Sequence, residues 1–205
     1  MNNGSYPKKI GILGGTFNPI HVGHLILAES AMDYCGLDKV LIMPSGCSYL
    51  KDQETIADKI HRVNMAKLAI EGNDRFELST IEVDREGNSY TFETLDMLCR
   101  QDPDARYYFI IGADILFTIE KWNRPEDIFN KCTIVCAQRD GIDSKDLEKK
   151  ASELKSLFNA DVIIMDVPEM KVSSSNIRDY LKRGWSCKYY LDEKVREYII
   201  NNSIY

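Results

Sequence analysis

The sequence lacks any apolar run long enough to cross a bilayer, and its first eight residues are mostly polar. We therefore expect no membrane span and no signal peptide, which indicates a cytoplasmic protein. Long runs of lysine and arginine are also missing, and the net charge is −6. This charge argues against broad nucleic-acid binding, although it leaves room for a local basic pocket.

The six cysteines lack the spacing of a zinc finger. Cys132 and Cys136 fall on one face of an expected strand, so we expect them to be reduced thiols of the core. Cys47 lies in an expected loop, where no neighbour would make it a nucleophile. His21 and His24 have no convincing third ligand nearby in the sequence. We therefore predict no resident metal site.

The most informative stretch, residues 9–25, reads Lys-Ile-Gly-Ile-Leu-Gly-Gly-Thr-Phe-Asn-Pro-Ile-His-Val-Gly-His-Leu. Its apolar start predicts a buried strand, and Gly14 and Gly15 predict a sharp turn that a ligand can approach closely. The proline delays the following helix to about His21. Helix N-termini favour phosphate, and His24, three residues on, can face the same end. The simpler interpretation is a tight turn with polar caps.

This stretch matches neither of two common phosphate motifs. It has no lysine where a Walker A loop needs one, and it has no third glycine for the dinucleotide-binding pattern.

Apolar runs of strand length alternate with helical patterns along most of the chain. They predict one α/β domain over residues 1–205, with a doubly wound parallel sheet, right-handed crossovers and a small C-terminal helical part at about 173–205. We see no internal repeat, low-complexity segment or interdomain linker. Ligands of such sheets lie at the carboxyl ends of the strands, near the switch point. The candidate motifs fall there, at residues 14–24, 44–51, 112–114 and 139.

Two predicted helices matter for the site. The first covers residues 56–70, and we expect its apolar face to include Ile60, Met65 and Ala66. The second runs from Thr91, its expected cap, through Cys99.

Residues 14–24 resemble the signature of the nucleotidyltransferases that transfer AMP or CMP from a nucleoside triphosphate to a phosphate. Three further stretches make the chain similar to bacterial nicotinate-nucleotide adenylyltransferases from about residue 9 to residue 200. They are residues 76–95, residues 108–114 followed by Trp122, and residues 172–178 with residues 194–199. The resemblance implies a Rossmann-like nucleotidyltransferase fold. It also implies adenylyl transfer from ATP to nicotinate mononucleotide, giving deamido-NAD and pyrophosphate in NAD biosynthesis.

The resemblance also implies roles for individual residues. The catalytic residues would be His21, His24, Lys51 and Arg178. ATP would be bound by Gly14, Gly15, Thr16, Phe17, His24, Gly112, Asp114, Arg139, Ser174, Ser175, Ile177 and Arg178. Nicotinate mononucleotide would be bound by Asn18, Lys51, Tyr90, Thr91, Asp114 and Trp122. Mg²⁺ would accompany ATP. The expected partners are these small molecules, with no nucleic acid and no membrane, and a homo-oligomer is possible.

Several of these residues also have a simpler structural explanation. The serines before Arg178 form a phosphate site or a helix cap with a surface salt bridge. Trp122 stacks on a pyridine ring or packs in the core. Asp114 binds substrate or caps the next helix. Arg139 neutralises phosphate or is an ordinary surface arginine.

The loop at residues 44–51 departs from the family pattern Pro-x-x-x-Pro-Pro-His-Lys. It retains Lys51, but Ser48, Tyr49 and Leu50 replace the two inner prolines and the histidine. Loop closure and substrate choice are therefore open. The alternatives are an adenylyltransferase for nicotinamide mononucleotide or phosphopantetheine, and a catalytically inactive nucleotide sensor. An aminoacyl-tRNA synthetase fragment is disfavoured, because a second lysine-rich signature is missing.

Overall fold

The computed structural model describes residues 7–46, 56–138, 142–168 and 170–205. These residues form six β-strands, β1 (Lys9–Gly15), β2 (Lys39–Pro44), β3 (Phe76–Leu78), β4 (Arg106–Gly112), β5 (Cys132–Gln138) and β6 (Val162–Asp166). The strands make one sheet in the order β3-β2-β1-β4-β5-β6. This order reverses direction between β1 and β4, which is the topological switch point of a doubly wound sheet. The predicted α/β fold class is confirmed.

The recorded strand pairings are parallel, which agrees with the apolar composition of the strands. β1 runs parallel to β4, with Ile10 opposite Tyr107, and β5 runs parallel to β4 and β6. Strands of a parallel sheet are covered on both faces, so they read as continuous apolar runs rather than alternating ones. The run Ile134–Ala137 in β5 is accordingly buried at every position.

The helices of the described residues lie between and after these strands. They are α1 (Val22–Cys35), α2 (Lys59–Ala69), α3 (Thr91–Gln101), α4 (Ala113–Leu116), α5 (Pro125–Phe129), α6 (Ser144–Phe158), α7 (Ser174–Lys182) and α8 (Glu193–Asn201), with a 3₁₀ turn at Ile119–Lys121. Helices α7 and α8 form the predicted C-terminal helical part. Among the helices of the described ranges, none has the length and apolar character needed to span a membrane.

Side-chain caps set the start of four helices. Asp58, Asp143, Ser173 and Asp192 each accept a hydrogen bond from a backbone N–H of the first helical turn. Helix α2 therefore begins at Lys59, three residues later than the sequence predicts, because Asp58 is in a non-helical conformation. Thr91 is not a cap, since the N-cap position of α3 is Tyr90.

The predicted apolar face of α2 is wrong at one position. Ile60 is 64% exposed, whereas Arg62, Met65 and Ala66 are buried. Residues three and four apart share a helix face, but residues two apart lie about 200° apart around the helix. Once Met65 and Ala66 face the interior, the buried position one turn earlier belongs to Arg62, and Ile60 points outward.

Residue contacts divide the chain into two interleaved compact units. The first unit contains Met1–Ile12, Ser30–Val40 and Tyr90–Pro168, and the second contains Leu13–Glu29, Leu41–Ser89 and Glu169–Tyr205. The core of the first unit includes Ile12, Leu95, Ile110, Ile134 and Leu154. The core of the second unit includes Phe17, Ile20, Ile42, Met65 and Val195.

Cys132 and Cys136 are buried in β5, as predicted. Burial raises the pKa of Cys136 to about 12, and it raises the pKa of Cys132 as well. Both thiols therefore stay protonated at neutral pH and are poor nucleophiles. The cysteines in the described ranges are all free thiols, and Cys47 lies outside those ranges.

The packing of α3 can be tested with two leucines. Leu95 on α3 is fully buried, whereas Leu157 on α6 is 71% exposed. Leu95→Ala leaves a cavity, so we expect it to lower the free energy of unfolding by about 2–5 kcal/mol. Leu157→Ala, the matched control, should change it by less than about 0.5 kcal/mol. Urea denaturation followed by circular dichroism measures both, and equal destabilisation would contradict the packing.

Candidate active site

The turn between β1 and α1 is held in an unusual backbone conformation. Phe17 has a positive φ of 49°, and its ring is buried at 2% exposure. The same ring lies under Gly15, where a Cβ atom would come within 2.9 Å of it. Position 15 therefore favours glycine for steric reasons. The peptide bond from Asn18 to Pro19 is cis.

His21 and His24 lie against each other at the start of α1. Their rings stack with centroids 3.7 Å apart, and the His24 ring also meets Phe17 edge-on at 5.0 Å. The backbone N–H of His21 donates to Nδ1 of His24 at 3.2 Å. Since Nδ1 of His24 accepts this bond, a neutral His24 carries its proton on Nε2. The ring is thus set up to donate from Nε2 to an oxygen atom.

The N-terminus of α7 contacts the same turn. Ser174 donates through Oγ to the Pro19 carbonyl at 2.8 Å, and Arg178 donates through Nη1 to the Asn18 carbonyl at 2.8 Å. Ser173 caps the helix by accepting the Asn176 N–H, and its hydroxyl lies 3.1 Å from that of Ser175. The capping explanation therefore holds for Ser173, and the helix that it caps is also bonded to the turn through Ser174 and Arg178.

Ile177 has a packing role in α7. Its side chain is 1% exposed, and its backbone N–H donates to the Ser173 carbonyl. The Ile177 side chain is therefore too buried to contact ATP, although the resemblance assigns this residue to ATP binding.

Asn18 is held from two directions. Its Oδ1 accepts the Ala57 N–H at 3.0 Å and the Tyr205 hydroxyl at 2.7 Å. Burial raises the pKa of Tyr205, so the phenol stays protonated and remains a donor. Sequence reasoning missed Tyr205, because the two partners are 187 positions apart and no local pattern connects them.

Arg62 is a second residue that sequence reasoning missed. It is 3% exposed, and its guanidinium donates to the carbonyls of Ala57, Thr16, Ser45 and Gly46 at 2.8–3.1 Å. A signal was available in the sequence, since a charged residue stands one turn before Met65 and Ala66 on the buried face of α2.

The remaining described candidates belong to the first unit: Tyr90, Thr91, Gly112, Asp114 and Trp122. Thr91 is the first residue of α3, where backbone N–H groups have no acceptor within the helix. Trp122 is half-buried and meets Phe109 edge-on, with ring centroids 6.2 Å apart. Trp122 therefore has the packing contact of the simpler explanation while keeping part of its surface exposed.

Asp114 does not cap the helix that follows β4. Gly112 holds the N-cap position of α4, and Asp114 is an exposed residue of its first turn. Its charge contributes to the raised pKa of Cys136, which places the carboxylate near β5. The capping explanation is wrong because α4 begins at Ala113, two residues earlier than that role requires.

Two predicted site residues, Lys51 and Arg139, lie outside the described residues, as do the substituted positions Ser48, Tyr49 and Leu50. Within the described part of the chain, no three histidine, cysteine or acidic side chains are grouped so that they could hold a metal ion.

Comparisons with known proteins agree on one family. The family model for cytidylyltransferase-like proteins matches residues 12–180. The chain is 43% identical over 198 residues to a "probable nicotinate-nucleotide adenylyltransferase" of Lachnoclostridium phytofermentans, covering 97% of this chain and 99% of the relative. It is 36% identical over 198 residues to the nicotinate-nucleotide adenylyltransferase of Bacillus subtilis, covering 97% and 98%.

The fold has solved counterparts. A nicotinic acid mononucleotide adenylyltransferase of Plasmodium falciparum, complexed with NaAD, superposes with a TM-score of 0.77 at 21% identity. The match covers 96% of this chain and 97% of that one. At this identity the likeness concerns the fold alone.

The contact between Tyr205 and Asn18 can be tested by removing one oxygen atom. Tyr205→Phe deletes the hydroxyl donor but leaves the Ala57 N–H on Asn18 Oδ1. We expect the free energy of unfolding to fall by about 0.5–1.5 kcal/mol. Tyr34→Phe, at a 61% exposed position, should leave it unchanged. Urea denaturation measures both variants, and a Tyr205→Phe protein as stable as wild type would contradict the assigned bond.

Proposed function

Because the chain belongs to the cytidylyltransferase-like family and is 36–43% identical to nicotinate-nucleotide adenylyltransferases over nearly its whole length, we propose that it catalyses adenylyl transfer from ATP to nicotinate mononucleotide. The products are deamido-NAD and pyrophosphate, and the reaction belongs to NAD biosynthesis. The chain acts as a single nucleotidyltransferase domain, which the span of the family match supports.

The observation that carries this proposal is the convergence of phosphate-binding groups on the turn after β1. His24 lies in the first turn of α1 with Nδ1 accepting the His21 N–H, and Ser174 and Arg178 bond the N-terminal part of α7 to residues 18–19. Backbone N–H groups and partial positive charge at such termini stabilise phosphate. The turn therefore combines the donors that a triphosphate requires.

The reaction needs no covalent intermediate. A phosphate oxygen of nicotinate mononucleotide attacks the α-phosphorus of ATP in line, and the bond from that phosphorus to the bridging oxygen of pyrophosphate breaks. The nucleophile is already ionised, so no general base is required. Catalysis rests on positioning and on stabilising the charge that develops on the α-phosphate and the leaving group.

In this proposal the residues divide the work. His21, His24, Lys51 and Arg178 face the triphosphate, and the backbone of residues 14–17 lines the ATP side. Mg²⁺ enters as Mg-ATP and is part of the substrate. Arg139, Ser175, Gly112 and Asp114 complete the ATP contacts. Asn18 and Ile177 contribute by shaping the turn and α7, since their side chains are buried.

The pyridine ring is recognised by residues of the first unit. The nicotinate carboxylate accepts hydrogen bonds from the backbone N–H groups of Tyr90 and Thr91, where α3 begins. A helix N-terminus favours this negative charge. The exposed part of Trp122 stacks on the ring. A substrate with a neutral amide in place of the carboxylate gains less from the helix terminus and is disfavoured.

An acceptor panel tests the proposed activity. Pyrophosphate release from Mg-ATP is measured with nicotinate mononucleotide, nicotinamide mononucleotide and phosphopantetheine in parallel. We expect kcat/KM for the nicotinate form to exceed that for the amide by at least about tenfold, which corresponds to about 1.4 kcal/mol of differential binding. Equal or reversed preference would overturn the carboxylate site at Tyr90 and Thr91. Release with none of the acceptors would instead favour a nucleotide sensor.

The role of His24 is tested against the third histidine of the chain. His24→Ala removes the Nε2 donor, so we expect kcat to fall by about 10²-fold or more. His61→Ala is the control, because the His61 ring bonds to the Tyr198 hydroxyl. This variant should keep kcat within about twofold of wild type. Steady-state kinetics at saturating substrate measure kcat, and circular dichroism confirms the fold. Wild-type turnover in the His24 variant would remove this residue from the mechanism.

A further inference from the structure

We propose that Arg62 is a positioning residue for adenylyl transfer, which holds the phosphate-binding turn in its ligand-ready shape. This inference rests on the proposed function. Nothing in the resemblance or in the comparisons assigns a role to Arg62, and its side chain does not need to touch substrate. It acts through the backbone of the turn.

The first argument is energetic. A buried charged side chain is costly unless hydrogen bonds compensate it. Arg62 is 3% exposed, and its Nε, Nη1 and Nη2 atoms donate to four backbone carbonyls. These carbonyls belong to three separate segments: the turn after β1, the exit of β2 and the entry to α2. A planar guanidinium has several donors in a fixed arrangement, so it can bond to all four carbonyls at once. The compact ammonium group of a lysine cannot reach all of them.

The second argument concerns the direction of a backbone donor in the turn. Nη1 of Arg62 draws the Thr16 carbonyl toward itself at 2.9 Å. In a planar trans peptide, the carbonyl of one residue and the N–H of the next point in opposite directions. The Phe17 N–H therefore points away from Arg62. Arg62 thus fixes the aim of a donor in the segment that we propose lines ATP.

The third argument is that Arg62 and its four carbonyl partners, which we call the clamp, connect the two flanks of the segment that carries Lys51. Gly46 and Ala57 stand on either side of residues 47–55, the stretch that carries Lys51. Their carbonyls accept from Nη2 and Nε of the same side chain that holds Thr16. Two described flanks of the Lys51 segment and the phosphate-binding turn are therefore tied to one rigid group.

Gly46 gives this clamp little freedom to relax. Its N–H donates to the Ser89 hydroxyl at 3.1 Å, and a Cβ atom there would lie 2.3 Å from the Glu82 carbonyl oxygen. The backbone at Gly46 is thus closely packed. Loss of the guanidinium should therefore change the backbone conformation of the turn, where the Thr16 carbonyl would lose its donor.

A purely structural role predicts a different outcome from a positioning role. If Arg62 only stabilises the fold, a variant loses stability, but each folded molecule binds ATP normally. If Arg62 aims the turn, folded molecules bind ATP more weakly and turn over more slowly. Recognition of the pyridine ring, which involves residues of the first unit, should change little.

The experiment compares wild type with Arg62→Lys, which keeps the charge but not the fork, and with Arg62→Ala. Arg196→Lys is the matched control, since Arg196 is an α8 residue paired with Glu193. The folded fraction of each variant is determined by circular dichroism at low temperature. ATP binding in the absence of an acceptor is then measured by titration calorimetry. Kinetics then give kcat and KM for each substrate.

For Arg62→Lys we expect the Kd for ATP and the KM for ATP to rise at least tenfold and kcat to fall at least tenfold. The KM for nicotinate mononucleotide should stay within twofold. If Arg62→Ala folds, millimolar guanidinium should restore part of its ATP affinity by refilling the site. If Arg62→Ala does not fold, Arg62→Lys alone decides the question.

Folded Arg62→Lys with wild-type ATP affinity and turnover would overturn the proposal, and so would an equal loss in Arg196→Lys. The proposed function can fail separately from this inference. If wild-type protein transfers no adenylyl group to any acceptor, the proposed function is wrong. The ATP titration still reports whether Arg62 shapes the turn.

Discussion

The turn between β1 and α1 depends on one constraint: its carbonyls must find hydrogen-bond donors elsewhere in the chain. Buried carbonyls need donors. Here the donors are side chains from distant helices. Arg62 of α2 serves Thr16, Arg178 of α7 serves Asn18, and Ser174 serves Pro19. The turn is thus built by its neighbours as much as by its own residues.

The same arrangement explains which features the sequence could predict. Apolar runs and serines before a helical pattern are local signals, so the strands and the cap at Ser173 could be predicted from them. Gly14 and Gly15 predict a sharp turn, but both belong to β1 and the turn follows them. Bonds from a side chain to a distant carbonyl have no such signal, because any residue supplies the carbonyl. Arg62 and Thr16 are 46 positions apart, and Tyr205 and Asn18 are 187 apart. The sequence predicts Ile60 rather than Arg62 on the buried face of α2, because an arginine is an unusual occupant of an interior position.

Some residues that we propose for substrate binding also stabilise the structure of this protein. Ser174 uses its hydroxyl hydrogen on Pro19, and Arg178 uses one nitrogen on Asn18, yet both stand at a helix N-terminus suited to phosphate. Trp122 packs on Phe109 and keeps an exposed part. Such sharing lets the residues that stabilise the turn also fix the geometry of the groups a substrate would meet.

The bond between Arg178 and the Asn18 carbonyl also has a consequence for how the chain is made. Its partners are separated by 160 positions, so the ribosome synthesises the turn long before it synthesises α7. At typical rates of synthesis this delay is on the order of 10 s. During that interval the nascent turn can be anchored by Arg62, which follows it closely, but not by α7 or Tyr205. A segment that is synthesised early is therefore completed late, when the C-terminal helices have emerged.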